Sequence, residues 1–447
     1  MPKKIKASDF GKEFIWGIST AAFQIEGAYK KHGKGLSIWD TFTMQKGNIH
    51  KNQTAKVSCD FYHRYKEDIL LMKSLNIKNF RFSISWSRIL PDGTGKVNQQ
   101  GIKFYNNVID FCLECKIKPW VTLYHWDLPH ELQKQGGWTN RKILDWFEEY
   151  VKICASNFGN RVKHWMILNE PMVFTGGGYF LGIHAPGKKR MKNFLPAVHH
   201  AQLAQALGGR ILKENIPDVI IGTTYSCSYI VPKNNSKRNK RAAKKVDALL
   251  NRLFIEPVLG LGYPTKDLPI LKKLNPYILP GDIENSQFKF DFIGIQNYTR
   301  EVVQHSYFIP YIGAKIIKAP KRGVGTTLMD WEVYPPSIYE MIRKYNSYKH
   351  IPNLIITENG AAFKDKFKKG KIQDKKRTKY LATYIEQVLK AKKEGLNIGG
   401  YFVWTLTDNF EWAEGYNPGF GLVHVDFDTQ KRTIKSSGKW YKTFLKN

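Results

Sequence analysis

The stretch His164-Trp-Met-Ile-Leu-Asn-Glu170 is a short apolar run that ends in a carboxylate. A second stretch, Asn353-Leu-Ile-Ile-Thr-Glu358, has the same form. Both are typical of parallel β-strands buried on two faces, because such strands read as nearly continuous apolar runs. In parallel α/β folds the carboxyl ends of the strands hold the ligand and the chemistry. The two stretches therefore predict two glutamates presented at the same edge of a sheet.

Runs of this kind recur along the chain, and amphipathic segments with helical spacing lie between several of them, at 62–75, 141–155, 197–214 and 379–393. Strands that alternate with helices indicate βαβ units. Eight such strands predict an α/β fold, a closed (β/α)8 TIM barrel. The eight runs begin at Phe14, Asn79, Pro119, His164, Val219, Phe290, Leu354 and Ile398.

The length of 447 residues is large for such a barrel, so we expect elaborated loops over the carboxyl ends of the strands. No Pro/Gly/Ser-rich linker divides the chain, which predicts one domain over residues 1–447. An open doubly wound sheet is the alternative, although no Gly-x-Gly-x-x-Gly follows the first run.

Composition excludes several classes of protein. Hydrophobic residues make up 42% and aromatic residues 14% of the chain, which excludes a disordered protein. The basic N-terminus lacks the apolar stretch of a signal peptide, and no run reaches the roughly 18 apolar residues of a membrane span. We therefore expect a soluble, cytoplasmic protein without a membrane partner.

The formal net charge of +32 raises nucleic acid as a partner. The basic residues are spread along the chain, with denser runs at Lys233–Lys245 and Lys364–Lys379. Neither run interleaves aromatic residues as a single-strand binding groove does. They are interpreted as solvated loops and helix faces, so no specific nucleic-acid partner is expected, only salt-sensitive adhesion to polyanions.

Five cysteines are an odd number, which argues against a disulfide framework. Cys112 and Cys115 form a C-x-x-C, but zinc would need a second pair, and the sequence has none at suitable spacing. Because the surrounding residues have helical spacing, we interpret both as buried helix cysteines rather than a metal or redox site. No cofactor and no metal are expected.

Two carboxylates are the minimal equipment for cleaving a glycosidic bond. Glu170 and Glu358 end strands four and seven, which are expected to face each other across the mouth of the barrel. A separation of about 5–5.5 Å predicts retention of configuration, and a wider gap predicts inversion. Either glutamate alone could be a salt-bridged or capping residue, but the pair in these contexts indicates catalysis.

The ends of the strand-like runs are unusually polar and aromatic. A single His or Trp there would more often be structural, but seven strand ends converging on one rim predict a binding site. These residues are Gln24 and Glu26, Arg81 and Trp86, His125, Trp126 and Asp127, Asn169 and Glu170, Asn297 and Tyr298, Glu358 and Asn359, then Trp404, Glu411 and Trp412.

Over essentially its whole length the chain resembles family 1 of the glycoside hydrolases, the β-glucosidase/β-galactosidase family. No single motif carries this resemblance, but together the matching segments are highly specific. They are Phe14-Ile-Trp-Gly-Ile-Ser-Thr-Ala-Ala-Phe-Gln-Ile-Glu-Gly-Ala, Arg81-Phe-Ser-Ile-Ser-Trp-Ser-Arg, Tyr124-His-Trp-Asp-Leu-Pro, Asn169-Glu-Pro, Ile356-Thr-Glu-Asn-Gly and Asp408-Asn-Phe-Glu-Trp.

The resemblance implies a role for each matching residue. Glu170 would be the general acid/base and Glu358 the nucleophile. Arg81 and Tyr298 would keep Glu358 charged, and Asn169 would reach the sugar 2-hydroxyl. It also implies a substrate-binding set, namely Gln24, His125, Asn169, Tyr298, Trp404, Glu411, Trp412 and Phe420, with Met172 and Trp331 on the aglycone side.

Three departures from the family pattern bear on specificity. Met172 stands where many relatives have Trp, which predicts a softer aglycone wall. Gln296 stands where many have Asn, which puts that polar contact in doubt. Glu411 and Trp412 replace the Ser and Lys of the 6-phospho-glycosidases, and a carboxylate there would repel a phosphate.

The sequence therefore predicts a retaining β-glycosidase, a β-glucosidase first of all, that acts on small-molecule β-glycosides. A β-galactosidase or β-fucosidase preference within the same family is one alternative, and a non-catalytic carbohydrate-binding barrel is another. Transglycosylation shares the covalent intermediate with hydrolysis and differs only in the acceptor. The sequence predicts no oligomeric state.

Overall fold

The computed structural model describes residues 5–368 and 370–447. Residues 1–4 of the basic N-terminus and Lys369 of the second basic run lie outside the described residues. The predicted (β/α)8 architecture is confirmed: eight parallel strands close into a barrel in the order β1-β8-β7-β6-β5-β4-β3-β2. The open-sheet alternative is wrong. The strands are β1 Ile15–Ser19, β2 Asn79–Ser83, β3 Lys118–Tyr124, β4 His164–Asn169, β5 Ile220–Ser226, β6 Phe292–Gln296, β7 Asn353–Asn359 and β8 Ile398–Trp404.

Long helices follow the strands and bury their apolar faces. The second helix shows how the sequence sets the start of a helix. The Asn98 side chain accepts a hydrogen bond from Gln100 N at 3.2 Å and so caps this helix. The helices are α1 Phe61–Ser74, α2 Gln99–Glu114, α3 Ile143–Phe158, α4 Met191–Asn215, α5 Lys237–Asp247, α6 Pro336–Asn346, α7 Lys375–Lys393 and α8 Ser436–Lys446.

Two layers of core fix the barrel. A large apolar core packs the strands against the helices. A smaller cluster fills the interior of the barrel with one inward-facing residue from each of five strands. Gly222 leaves room for this cluster, because a Cβ there would lie 2.4 Å from the Phe292 ring. The filled interior leaves the ends of the strands as the place for a site. The interior residues are Trp120, Met166, Phe292, Ile355 and Phe402.

The loops at the carboxyl ends carry their own secondary structure. A three-stranded sheet of Tyr229–Pro232, Arg300–His305 and Ala314–Ile316 lies beyond β5 and β6. Two hairpins follow later, Lys366–Lys368 with Lys371–Gln373 and Val423–Val425 with Arg432–Ile434. The short α-helices are Ala22–Ile25, Ile38–Met44, Trp86–Ile89, His130–Lys134, Pro171–Thr175, Ile255–Val258 and Asp282–Asn285. Single turns of 3-10 or π helix are Ala7–Phe10, Lys31–Gly33, His50–Asn52, Gly137–Thr139, Gly176–Phe180, Ala248–Arg252, Ala319–Arg322 and Trp412–Glu414. A longer 3-10 segment is Pro269–Tyr277.

The structure also tests the predictions made for the cysteines and for the first basic run. Cys112 lies on α2 and Cys115 directly follows it, and both thiols are buried and free, as the sequence predicts. Most of the first basic run forms α5, with its lysines on the solvent side and Ala242 and Ala243 against the added sheet. Within the described ranges, no helix is both long and apolar enough to cross a membrane.

Candidate active site

Glu358 lies near the carboxyl end of β7, where the pairing with β6 shifts by one residue. Arg81 of β2 and Gln296 of β6 both donate to Glu358 Oε1, the latter at 2.8 Å. Tyr298 Oη donates to Oε2 at 2.8 Å. Both oxygens of this carboxyl are therefore bound, and one donor is a buried guanidinium, an arrangement that stabilises the ionised form.

Glu170 follows β4 directly and precedes the short helix Pro171–Thr175. Its φ of 46° lies in the left-handed region, and its backbone N–H donates to Thr224 O at 2.9 Å. The side chain is buried, and the hydroxyl of Ser226, which lines the same cavity, lowers the pKa of its carboxyl. Arg81 acts on Glu170 through its charge, whereas it donates directly to Glu358.

The two carboxyls titrate unequally because their partners differ. Burial raises the pKa of Glu170 well above its ordinary value, and the charge of Glu358 raises it further. Burial also raises the pKa of Glu358, but the charge of Arg81 and the hydrogen bonds from Arg81 and Tyr298 lower it. Glu170 therefore retains its proton in a range where Glu358 has lost its own. A pair in this state can protonate a leaving group and attack a carbon in the same step.

Asn169 connects the two sides of the site. Its Oδ1 accepts from Arg81 at 2.6 Å, from Gln296 at 2.7 Å and from Thr224 at 3.0 Å. Its Nδ2 lies 2.9 Å from His125 Nε2. Burial lowers the pKa of His125 well below its ordinary value, so the ring is neutral and its Nε2 can accept from the amide. These contacts fix the side chain next to both glutamates.

Glu170 and Glu358 line one cavity of about 290 Å³ at the carboxyl ends of the strands. Three predicted residues lie behind this lining: Gln24 bonds to Glu411, Arg81 to Glu358 and Asn169 to His125. The structure thus brings the predicted catalytic and glycone residues together around one space. Those that line it directly, besides the two glutamates, are His125, Tyr298, Trp404, Glu411, Trp412 and Phe420, with Trp331 from the predicted aglycone side.

The structure places Met172 beside the cavity rather than in its lining. Among the described residues it is Val173, not Met172, that lines the cavity. Met172 is half-buried, packs against the main core and lies beside Gly176 of the following helical turn. The side chains of successive residues on the short helix Pro171–Thr175 point in different directions, so Val173 faces the cavity while Met172 does not. Val173 therefore joins the predicted residues of the site, and the contact of Met172 with an aglycone stays a prediction.

Aromatic rings form the walls of the cavity. Trp404 and Phe420 belong to a buried cluster against which Tyr298 and Trp331 pack, with the last two ring centroids 5.1 Å apart. Opposite them, Trp412 lies 4.4 Å from the ring of Trp126. Indole and phenol faces of this kind provide apolar surfaces for flat ligands such as sugar rings.

Glu411 is the third buried carboxyl of the cavity. Burial raises its pKa to about 8, the charge of Glu358 adds to this, and Gln24 lowers it through a hydrogen bond at 3.3 Å. The same Gln24 amide also donates to Asn409 Oδ1 at 3.1 Å and to Phe410 O at 3.0 Å. Near neutral pH Glu411 is therefore mostly protonated and can both donate to and accept from a ligand hydroxyl.

Some polar strand-end residues singled out in the sequence have structural partners instead. Glu26 accepts from Arg88 at 2.9 Å and from Tyr105 at 2.6 Å. Asn297 donates to Cys227 O at 3.0 Å and accepts from Ser337 at 2.8 Å. These contacts tie the loops to the barrel.

Two residues of the site were not anticipated. Gln296, whose polar contact the departure from the family pattern had put in doubt, contacts both Glu358 and Asn169. Ser226 ends β5, whose end was left out of the predicted rim, and its hydroxyl lowers the pKa of Glu170. Their position at the carboxyl ends of β6 and β5 was the signal in the sequence that could have identified them.

One cluster has the residue types of a metal site. Ligand atoms of Asp365, Asp408 and His424 lie within 4.8 Å of one another. Lys435 Nζ already lies between the carboxylates, 2.7 Å from Asp365 and 2.6 Å from Asp408. Its ammonium lowers the pKa of Asp408, which is about 2. The cluster is therefore an ion-pair network in which a lysine neutralises the charge that a metal would otherwise balance.

A closed (β/α)8 barrel with two unequal carboxyls in a sugar-sized cavity is the arrangement of a glycoside hydrolase. The chain belongs to glycosyl hydrolase family 1, whose model matches residues 6–447, and it is a glycoside hydrolase. It is 43% identical to β-glucosidase A of Thermotoga maritima, over 98% of each chain. A solved structure of the Thermotoga maritima β-glucosidase with deoxynojirimycin superposes with a TM-score of 0.94, covers 97% of this chain and 98% of that one, and is 42% identical. A 6-phospho-β-galactosidase of Clostridium acetobutylicum is 35% identical, over 97% of this chain and 96% of that one.

Proposed function

We propose that this chain is a retaining β-glucosidase that hydrolyses terminal β-D-glucosyl residues of small, unphosphorylated β-glycosides. The observation that carries the proposal is the unequal pair of carboxyls in one cavity, with Glu358 bound by Arg81, Gln296 and Tyr298 and Glu170 left protonated. The similarity to a curated β-glucosidase and to a solved β-glucosidase structure, both from Thermotoga maritima, supports the choice of glucosides.

In the proposed reaction Glu358 attacks the anomeric carbon while Glu170 gives its proton to the leaving oxygen. The bond to the aglycone breaks, and a covalent glycosyl ester of Glu358 forms. Glu170, now ionised, takes a proton from water, which attacks the same carbon and releases Glu358. Two inversions give net retention. The charge of Glu358 acts directly on the pKa of Glu170, so loss of that charge in the intermediate would lower the pKa of Glu170 as its role changes from acid to base.

The charge of the cavity supports an unphosphorylated substrate. Although the chain has a net charge of +32, the residues that line the cavity in the described structure include no Lys or Arg. They include five glutamates, namely Glu170, Glu301, Glu358, Glu411 and Glu414. A phosphate would therefore find no cation to bind. The sequence predicts that the Glu411 carboxylate repels a phosphate. Because Glu411 is largely protonated, the lack of a positive charge in the cavity disfavours phosphate binding more than repulsion does.

A panel of nitrophenyl β-glycosides tests the proposal. We expect turnover of the β-glucoside with the β-anomer of glucose released first, as followed by proton NMR, and no measurable turnover of the 6-phosphate. The galactoside and fucoside in the same panel measure the preference within the family. A faster rate on the 6-phosphate, or release of the α-anomer first, would contradict the proposal.

A further inference from the structure

The outer wall of the cavity differs from its floor. The floor is formed by the ends of β7 and β8, with Glu358 and Trp404, and by the loop after β8, with Glu411. The outer wall is formed by the end of β5, the loops after β5 and β6, and the start of the added strand Arg300–His305. A glycosidic bond held between the two catalytic carboxyls would leave the departing group against this outer wall. The residues that line it are Ser226, Ser228, Thr299, Glu301, Met329 and Trp331.

Glu301 is the charged residue of this wall. It lies on the added strand Arg300–His305, three residues beyond Tyr298, which bonds Glu358. Its side chain is only half-buried and lines the cavity. No hydrogen bond or ion pair of Glu301 with another side chain occurs within residues 5–368 and 370–447.

The nearest cations are already engaged elsewhere. Arg300 donates to both oxygens of Glu332, at 2.9 and 2.8 Å, and Arg322 lies 2.7 Å from the same carboxylate. Glu332 therefore engages Arg322, the cation whose charge acts on Glu301, together with the neighbouring Arg300. Burial raises the pKa of Glu301 to about 7; the charge of Arg322 lowers it and that of Glu332 raises it. Near neutral pH this carboxyl is present in both forms, so it can accept from a hydroxyl or donate to one.

We propose that Glu301 is a specificity-determining residue that binds hydroxyl groups of the leaving group, and that the preferred leaving group is therefore a second sugar. The inference rests on the proposed function, because a leaving group exists only if the chain cleaves a β-glucosidic bond. Trp331, which lines the same cavity, provides an apolar face on which a second sugar ring can lie. An aryl leaving group would use the indole but leave the carboxyl without a partner.

The test compares leaving groups at a constant glycone. The kcat/KM of cellobiose and of 4-nitrophenyl β-glucoside is measured for the wild-type chain, Glu301→Ala and Glu301→Gln. A site that hydrogen-bonds a hydroxyl loses affinity when the partner is removed. We expect kcat/KM for cellobiose to fall about 10-fold in Glu301→Ala and less in Glu301→Gln, while the value for the aryl glucoside changes less than about 2-fold.

Two measurements separate this role from a structural one. Glu284→Gln, on an exposed short helix, is the matched control, and we expect no change with either substrate. Binding of deoxynojirimycin, which probes the glycone side alone, should be equal in wild type and Glu301→Ala. An unchanged kcat/KM for cellobiose in Glu301→Ala, or an equal fall with both substrates, would overturn the role of Glu301. Failure of the wild-type chain to turn over either glucoside would overturn the proposed function itself.

Discussion

Glu358 and Glu170 both lie at the carboxyl ends of apolar strands of one barrel. Their surroundings nevertheless differ more than the similar sequences of the two strands suggest. Glu358 is held by three donors from β2, β6 and the loop after β6. For Glu170, burial and the negative charge of Glu358 raise the pKa, while the Ser226 hydroxyl and the charge of Arg81 lower it. Both carboxyls are buried, but their partners differ, and this difference separates their two pKa values. A double displacement requires this separation.

The largest effect is expected from removing Glu358, the carboxyl that three donors bind. Glu358→Ala leaves no nucleophile, so we expect kcat/KM for an aryl β-glucoside to fall by about 10⁴-fold or more. Added azide should restore turnover and give the α-glycosyl azide, because the small anion attacks from the face that Glu358 occupied. Initial rates and product NMR measure both effects. Wild-type rates in this variant would eliminate Glu358 as the nucleophile.

Removing the other carboxyl should cost less. In Glu170→Ala we expect a loss of about 10²–10⁴-fold, the usual contribution of a general acid. The loss should be larger for a disaccharide than for a nitrophenyl glucoside, whose leaving group needs little protonation. Azide should give the β-glycosyl azide in this variant, since it replaces water in the second step. Equal losses with both substrates would argue against an acid role.

The pH dependence of kcat/KM follows from the same assignment. The active form has Glu358 ionised and Glu170 protonated, so activity should decrease below the pKa of Glu358 and above that of Glu170. Because burial and the charge of Glu358 raise the pKa of Glu170, we expect the basic limb well above the ordinary range of a carboxyl. Glu170→Gln cannot lose a proton, so its residual activity should no longer decrease at high pH.

The sequence predicted the strands well because burial on two faces leaves a clear signal. All eight apolar runs are barrel strands, and the carboxyl end of a strand is a position that sequence alone can locate. The contacts of Arg81 and Tyr298 with Glu358 join β2 and the end of β6 to β7. These pairings depend on barrel closure, so the motifs suggested them only through the resemblance to a family.

The contact of Gln296 with Glu358 and the position of Val173 could not be predicted from the sequence, for a physical reason. Gln296 has one methylene more than the Asn it replaces, and whether its amide still reaches Glu358 depends on the strand shift at Ile356. Similarly, the rotation of the short helix Pro171–Thr175 decides that Val173 and not Met172 lines the cavity. A shift of one residue in a strand or helix changes such contacts while the pattern of apolar residues stays the same.

Gln296→Ala tests the contribution of one of the three donors that bind Glu358. Loss of the 2.8 Å hydrogen bond to Oε1 removes a donor that favours the ionised carboxylate, so the pKa of Glu358 should increase and the acidic limb of kcat/KM should move to higher pH. We expect a roughly 10-fold lower kcat/KM at the optimum, the cost of about one hydrogen bond to a charged group. Gln296→Asn is the matched variant, and rescue by it would mean that the shorter amide still reaches Oε1.

Ser226→Ala tests the surroundings of Glu170, and its effect on activity should be the smallest of these variants. The Ser226 hydroxyl lowers the pKa of Glu170, so its loss should raise that pKa and move the basic limb of kcat/KM to higher pH while the acidic limb stays in place. Activity at the optimum should change less than about 3-fold, because the substitution removes one uncharged hydroxyl and leaves both carboxyls in place. Ser228→Ala, on the same cavity wall, is the control and should move neither limb. A shift of the acidic limb in Ser226→Ala would mean that the hydroxyl acts on Glu358, and the two surroundings would then be less separate than the contacts indicate.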